Sequence, residues 1–253
     1  MIELHNTTLA FGSRTLISAA NTRFARGNMV ALLGRNGTGK STLLRAMAAL
    51  GTVQQGEIRI DGDNVAAMTS AALARKVAFV NTERIDVEAL TAHDLVAIGR
   101  SPYTDWVGRL DSRDEEIISR AMNIAGIEHL AYRYVATLSD GECQRVMIAR
   151  ALAQDTDAIL LDEPTAFLDL PNRYELCTLL RRLAHDEGKC IIFSTHELDI
   201  ALSLADSIAL IDNSELRYMP TEQMIASGHI ERLFDSEYVA FDAATRSILL
   251  RRE

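Results

Sequence analysis

The sequence predicts an α/β protein built on a largely parallel sheet. Short Val- and Ile-rich runs alternate with segments of helical period. Several of those runs are apolar at successive positions, as strands covered on both faces are. One of them leads through a glycine-rich turn directly into a helical segment.

The runs are Met29 to Leu33, Glu57 to Ile60, Val77 to Val80, Ala158 to Leu161, Cys190 to Ser194 and Ser207 to Ile211, with a further strand near Ile2 to Leu9. Between Thr91 and Gln154 the period is helical. Ser112 and Glu115 have the S-x-x-E spacing of a capping box, which places a helix through Ile118 and Ala121 with its stop at Gly126. Ser139 and Glu142 repeat that spacing ahead of Val146, Ile148, Ala149 and Leu152. The strand pattern resumes at Ala158, so the helical block reads as an insertion between two parts of one sheet. Tyr238 to Phe241 and Ser247 to Arg251 flank a short turn and predict a hairpin. The expected organisation is one domain: a core from residues 1–86 and 155–215, a helical unit from 87–154, and a C-terminal extension from 216–253.

Composition narrows the function. The 253 residues carry 26 Lys and Arg against 35 Asp and Glu, a formal charge of -9, which argues against nucleic acid and anionic lipid as partners. The longest stretch without Asp, Glu, Lys or Arg runs only from Ala46 to Gly56, whereas a membrane-spanning helix needs roughly 20 apolar residues. The first residues, MIELHNTTLAFGSR, lack the basic lead and apolar centre of a signal peptide, so a cytoplasmic location is expected. Cys143, Cys177 and Cys190 have no metal-ligand spacing and read as ordinary core thiols.

The chemistry concentrates in Gly34-Arg35-Asn36-Gly37-Thr38-Gly39-Lys40-Ser41, a G-x-x-x-x-G-K-[ST] phosphate loop between a buried strand and the helical run Thr42 to Leu50. Its glycines let backbone N–H groups turn toward phosphate oxygens, and the helix that follows presents the positive end of its dipole. In this pattern Lys40 reaches the β- and γ-phosphates and the Ser41 hydroxyl ligates Mg²⁺. The run Ala158 to Leu161 ends in Asp162 and Glu163. Asp162 is placed to hold Mg²⁺, and Glu163 to accept a proton from the water that attacks the γ-phosphate.

Three further segments, Leu138-Ser139-Asp140-Gly141-Glu142, Leu168-Asp169 and His196, complete a series that resembles the ATP-binding cassette family along essentially the whole chain. The resemblance implies a P-loop NTPase with a mainly parallel RecA-like sheet, an N-terminal antiparallel β subdomain and an inserted helical subdomain. It implies ATP and Mg²⁺ as ligands, and two copies of the chain with each nucleotide held between the phosphate loop of one and the signature helix of the other. Ser139 and Gly141 then bind the γ-phosphate in trans, Asp169 lies in the D-loop, His196 is the switch histidine, and Phe11 stacks on adenine.

Two places depart from the family pattern. The glutamine expected after Val80 is replaced by Asn81-Thr82-Glu83, where Thr82 or Glu83 contacts Mg²⁺ or the attacking water. An added carboxylate beside Asp162 and Glu163 predicts weak or partner-dependent hydrolysis. The signature carries Asp140 for its first glycine and Glu142 for its glutamine.

The stretch from Gly99-Arg100-Ser101-Pro102-Tyr103 to Trp106-Val107-Gly108-Arg109-Leu110 resembles importers of iron chelates, haem and cobalamin. That resemblance implies a peripheral subunit on the cytoplasmic face of the cell membrane, a separate permease docked along Thr82 to Pro102, and indirectly a substrate-binding protein. The competing readings are a soluble cassette for iron-sulfur assembly, an efflux ATPase acting with a separate permease, and a nucleotide-gated binding module without turnover.

Overall fold

The structure is a computed structural model, which describes residues 1–81 and 89–251. The chain opens with β1 (Ile2–Phe11) and β2 (Arg14–Phe24), then passes through β3 (Met29–Leu33) into α1 (Lys40–Met47). It continues as β4 (Gln55–Ile60), β5 (Asp63–Asn64), α2 (Ser70–Ala74) and β6 (Val77–Val80). The helices α3 (Ala92–Ala97), α4 (Ser112–Ala125) and α5 (Asp140–Ala153) follow. Strand and helix then alternate through β7 (Ala158–Leu161), α6 (Leu170–His185), β8 (Cys190–Ser194), α7 (Leu198–Leu204) and β9 (Ser207–Asp212). The chain closes with β10 (Glu215–Pro220), α8 (Thr221–Ala226), α9 (His229–Phe234), β11 (Val239–Asp242) and β12 (Ser247–Leu250).

The central sheet has the order β10-β9-β3-β8-β7-β6 and is parallel except for the β10 edge. Successive side chains of a strand point to opposite faces, so β3 feeds two cores. Met29, Ala31 and Leu33 join the cluster under the helices, and Val30 and Leu32 join the one under α1 and the antiparallel sheet. Both faces are covered, which is why every residue of β3, β7 and β8 is buried.

Glu57 to Ile60 does not join this sheet. It lies in β4 of an antiparallel sheet ordered β2-β1-β4-β5. Its burial alternates, with Ile58 and Ile60 inward and Glu57 and Arg59 only partly covered, the mark of a strand packed on one face. The two sheets are joined at their edges: Phe24 of β2 packs edge-to-face on Tyr218 of β10 with ring centroids 5.0 Å apart, and Ser18 N donates to Ser214 O at 2.8 Å. The partner strand β2 and the returning edge strand β10 carry no strand signature in the sequence. Only pairing across the fold distinguishes their mixed polar pattern from a loop.

The expected capping box at Ser112 and Glu115 is shifted by one residue. Asp111 is the N-cap and Asp114 closes the box, while α4 stops at Gly126 as the pattern predicts. The reason is tertiary, because Asp114 is also taken up by Arg100, whose Nε donates to Asp114 Oδ1 at 2.8 Å. The box at Ser139 and Glu142 forms as expected, as does the β11–β12 hairpin. The Gly99-Arg100-Ser101-Pro102-Tyr103 segment is a clasp. Gly99 lies so close to α5 that a Cβ would stand 2.3 Å from Arg150 O. The Arg100 guanidinium rests 4.1 Å over the Tyr103 ring and donates to Ala153 O at 2.9 Å. Among the described residues, no helix is long and apolar enough to cross a membrane.

A phosphate-loop site at the ends of β3, β7 and β8

Parallel strands deliver their carboxyl ends to one edge of a sheet, and ligands of such folds bind there. β3 ends in the phosphate loop, β7 in Asp162 and Glu163, and β8 in Ser194 followed by His196. Gly34 turns the chain at φ +157°, where a Cβ would stand 2.6 Å from Thr38 Oγ1 and 2.8 Å from Ile211 O. Arg35, Asn36 and Gly37 are exposed, and Thr38 Oγ1 donates to Arg35 O at 2.8 Å. Gly39 is the N-cap of α1 and offers no side-chain cap, and the first N–H groups of a helix have no partner within it. Thr42 is half-buried in the same first turn.

Lys40 is buried and donates from Nζ to Gly34 O at 2.9 Å. Burial draws its ammonium below the usual lysine range, against the opposing charges of Glu163 and Asp162. Ser41 Oγ donates to Asp162 Oδ1 at 2.9 Å, and Ser194 Oγ donates to the same oxygen at 2.7 Å. Ser194 Oγ also accepts from Glu163 N at 2.8 Å. That bond holds a residue with φ +45°, a left-handed backbone that costs a non-glycine residue about 1 kcal/mol or more. His196 Nδ1 stands 3.7 Å from Glu163 Oε2.

Lys40, Ser41, Asp162, Glu163 and His196 are therefore brought together. The apolar run Cys190 to Ser194 does not by itself mark Ser194 as functional; its one signal is a hydroxyl closing that strand, since a buried hydroxyl must find partners.

Phe11, Asp169, Ser139 and Gly141 take no part in this hydrogen-bonded cluster. Phe11 is 78% exposed at the end of β1. Asp169 caps α6, accepting from Asn172 N at 3.2 Å. Ser139 bonds within its own helical turn, donating to Glu142 Oε2 at 2.8 Å. A Cβ on Gly141 would meet Asn172 Cγ at an ordinary 3.6 Å, so packing inside this chain does not require glycine there. Thr82 and Glu83 fall outside the described residues.

Residues 17–166, more than half of the chain, match the model of the ABC transporter family. The chain belongs to the ABC transporter family. Among curated ABC proteins it is 35% identical to the petrobactin import ATP-binding protein FpuC of Bacillus anthracis, covering 97% of this chain and 91% of that protein. It is 34% identical to the ferric enterobactin transport ATP-binding protein FepC of Escherichia coli, covering 93% and 87%. Its fold matches the dimeric post-hydrolysis structure of the ATP-binding cassette MJ0796 bound to ADP and Pi, with TM-score 0.72, 26% identity, and 87% and 99% of the two chains covered. This ABC protein is thus an ATPase.

Proposed function

We propose that this chain is the ATP-hydrolysing subunit of an importer for iron chelates of the siderophore, haem or cobalamin type, working as two copies beneath a separate permease. The observation that carries the catalytic half is the convergence of Ser41 Oγ and Ser194 Oγ on Asp162 Oδ1, at 2.9 Å and 2.7 Å, beside buried Lys40. The import half is supported by the relatives, whose names tie them to petrobactin import and ferric enterobactin transport.

Ser41 Oγ and Asp162 Oδ1 form a pair of hard oxygen donors, which suits Mg²⁺ completed by phosphate oxygens and water. Mg²⁺ held there would offset charge on the phosphates. Phe11 is placed to stack on adenine, and Gly34, Asn36, Gly37, Thr38, Gly39 and Thr42 shape the loop and first turn around the phosphates. Lys40 neutralises the β- and γ-phosphate oxygens. Water attacks the γ-phosphorus, the bond to the bridging oxygen breaks, and Glu163 takes the proton while His196 orients the γ-phosphate. Ser139 and Gly141 of a second copy close over the nucleotide, with Asp169 near the seam. The helical unit, residues 87–154, carries that closing motion to the permease at the cytoplasmic face of the membrane. A cavity of about 800 Å³ fits the permease contact, with Leu50, Val53, Met68, Phe79 and Ile98 in its lining. A substrate-binding protein would deliver the chelate.

The test is recovery of what co-purifies with a tagged Glu163→Gln form from detergent-solubilised membranes of the host. A polytopic permease is expected. Soluble scaffold proteins alone would replace import with assembly chemistry.

A further inference from the structure

Glu163 and His196 leave two different strands, and a second contact braces them beyond Ser194. After Glu163 the chain turns twice, with Ala166 N donating to Glu163 O at 3.0 Å and Leu168 N to Thr165 O at 3.2 Å. Arg173, in the first turns of α6, reaches back over this loop. Its Nε donates to Leu168 O at 2.6 Å, and its other arm pairs with Glu197 Oε1 at 2.7 Å. Glu197 directly follows His196, and its side chain is only 9% exposed. Its second oxygen, Oε2, has no hydrogen-bond partner among the described residues. A carboxylate buried that deeply depends on its paired cation, so the location of Glu197 is tied to Arg173.

We propose that Arg173 is a positioning residue for hydrolysis, pinning the loop that follows Glu163 to the residue that follows His196. The inference rests on the ATPase reading of the site. The two side chains face each other at 3.7 Å, Ser194 joins their strands only upstream of His196, and a misplacement of about 1 Å costs roughly 100-fold in rate. The role is geometric, because Arg173 bonds to Leu168 and Glu197 and to neither Glu163 nor His196. Packing of α6 is carried by Leu176, Leu179, Leu180 and Leu183, all buried, while the Arg173 side chain is one-third exposed.

The experiment compares Arg173→Ala, Glu197→Ala and the double variant in the full chain. Each single change is expected to lower kcat on the order of tenfold, with KM for MgATP and equilibrium binding of a fluorescent ATP analogue shifting less than about twofold. The double variant should be no slower than either single, because both ends of one tether are removed. Glu197→Gln keeps an acceptor for Arg173 and should retain most of the turnover. If alanine at 173 unfolds the chain, Arg173→Met, which keeps the aliphatic stem and carries no donor, serves for the same comparison. An Arg173→Ala kcat equal to wild type, or additive losses in the double variant, would overturn the tether.

A second readout is independent of turnover: the imidazole signals of histidine-labelled protein, with His196 assigned by His196→Ala. Arg173→Ala should shift the His196 signals, and unshifted signals overturn the proposal. A wild-type chain that binds no fluorescent ATP analogue would defeat the ATPase reading, and the His196 signals would still decide the tether.

Discussion

Ser194 Oγ lies 2.7 Å from Asp162 Oδ1, a bond between the ends of two neighbouring parallel strands that also leaves Ser194 to accept Glu163 N at 2.8 Å. One buried hydroxyl thus orients both carboxylate residues of the site. Ser194→Ala removes the donor to Asp162 and strands a backbone N–H, at a cost of about 1–3 kcal/mol. The expected result is a lower urea midpoint together with a fall in kcat on the order of tenfold. Wild-type turnover in a destabilised variant would confine Ser194 to a folding role.

Phe11 contributes little to the core, being 78% exposed. Phe11→Ala should leave stability within about 0.5 kcal/mol of wild type. Loss of adenine stacking should weaken nucleotide binding by about 1–3 kcal/mol. Titration calorimetry with a non-hydrolysable ATP analogue measures this directly, and unchanged affinity would remove Phe11 from the site.

The buried pair of Arg100 and Asp114 gives a pH prediction. Burial alone would raise the Asp114 carboxyl, but the Arg100 hydrogen bond and the Asp111 backbone N–H outweigh it and hold Asp114 below the usual aspartate range. The fold therefore favours the ionised form. Its contribution is fully present above the ordinary carboxylate range, near about pH 4, and is lost as pH falls through the depressed folded value. Denaturation followed from pH 7 downward should show this loss in wild type and a shallower slope in Asp114→Asn. Arg100→Ala, which leaves the carboxylate buried and unpaired, should cost about 3–5 kcal/mol at neutral pH.

Burial pushes the Cys177 thiol up to about 12, helped by the charges of Glu197 and Asp199, and burial likewise pushes Cys190 up to about 12. Thiolate is the reactive form. Iodoacetamide at pH 8 followed by mass spectrometry should leave Cys177 and Cys190 unmodified in native protein and alkylate both in guanidinium. Native labelling of either would show that the α6 or β8 core opens.

The chemistry-bearing segments are legible in the amino-acid sequence, because each is a local pattern. The phosphate loop needs only its glycines, Lys40 and Ser41 between a strand and a helix. The buried strands announce themselves by unbroken apolar runs, and the α5 capping box needs only Ser139 and Glu142, three residues apart. Tertiary structure alone decided which strands share a sheet, because hydrogen-bond ladders join residues far apart in the chain. β4 pairs with β1 and lies outside the parallel sheet, and β2 and β10 become strands through their neighbours. It also decided the supporting contacts. The shift of the α4 cap to Asp111 and Asp114 follows from Arg100, and the hydrogen bonds of Ser194 and Arg173 become visible only when β7, β8 and α6 meet. A side chain's type is written locally, but the partner that satisfies it is supplied by packing.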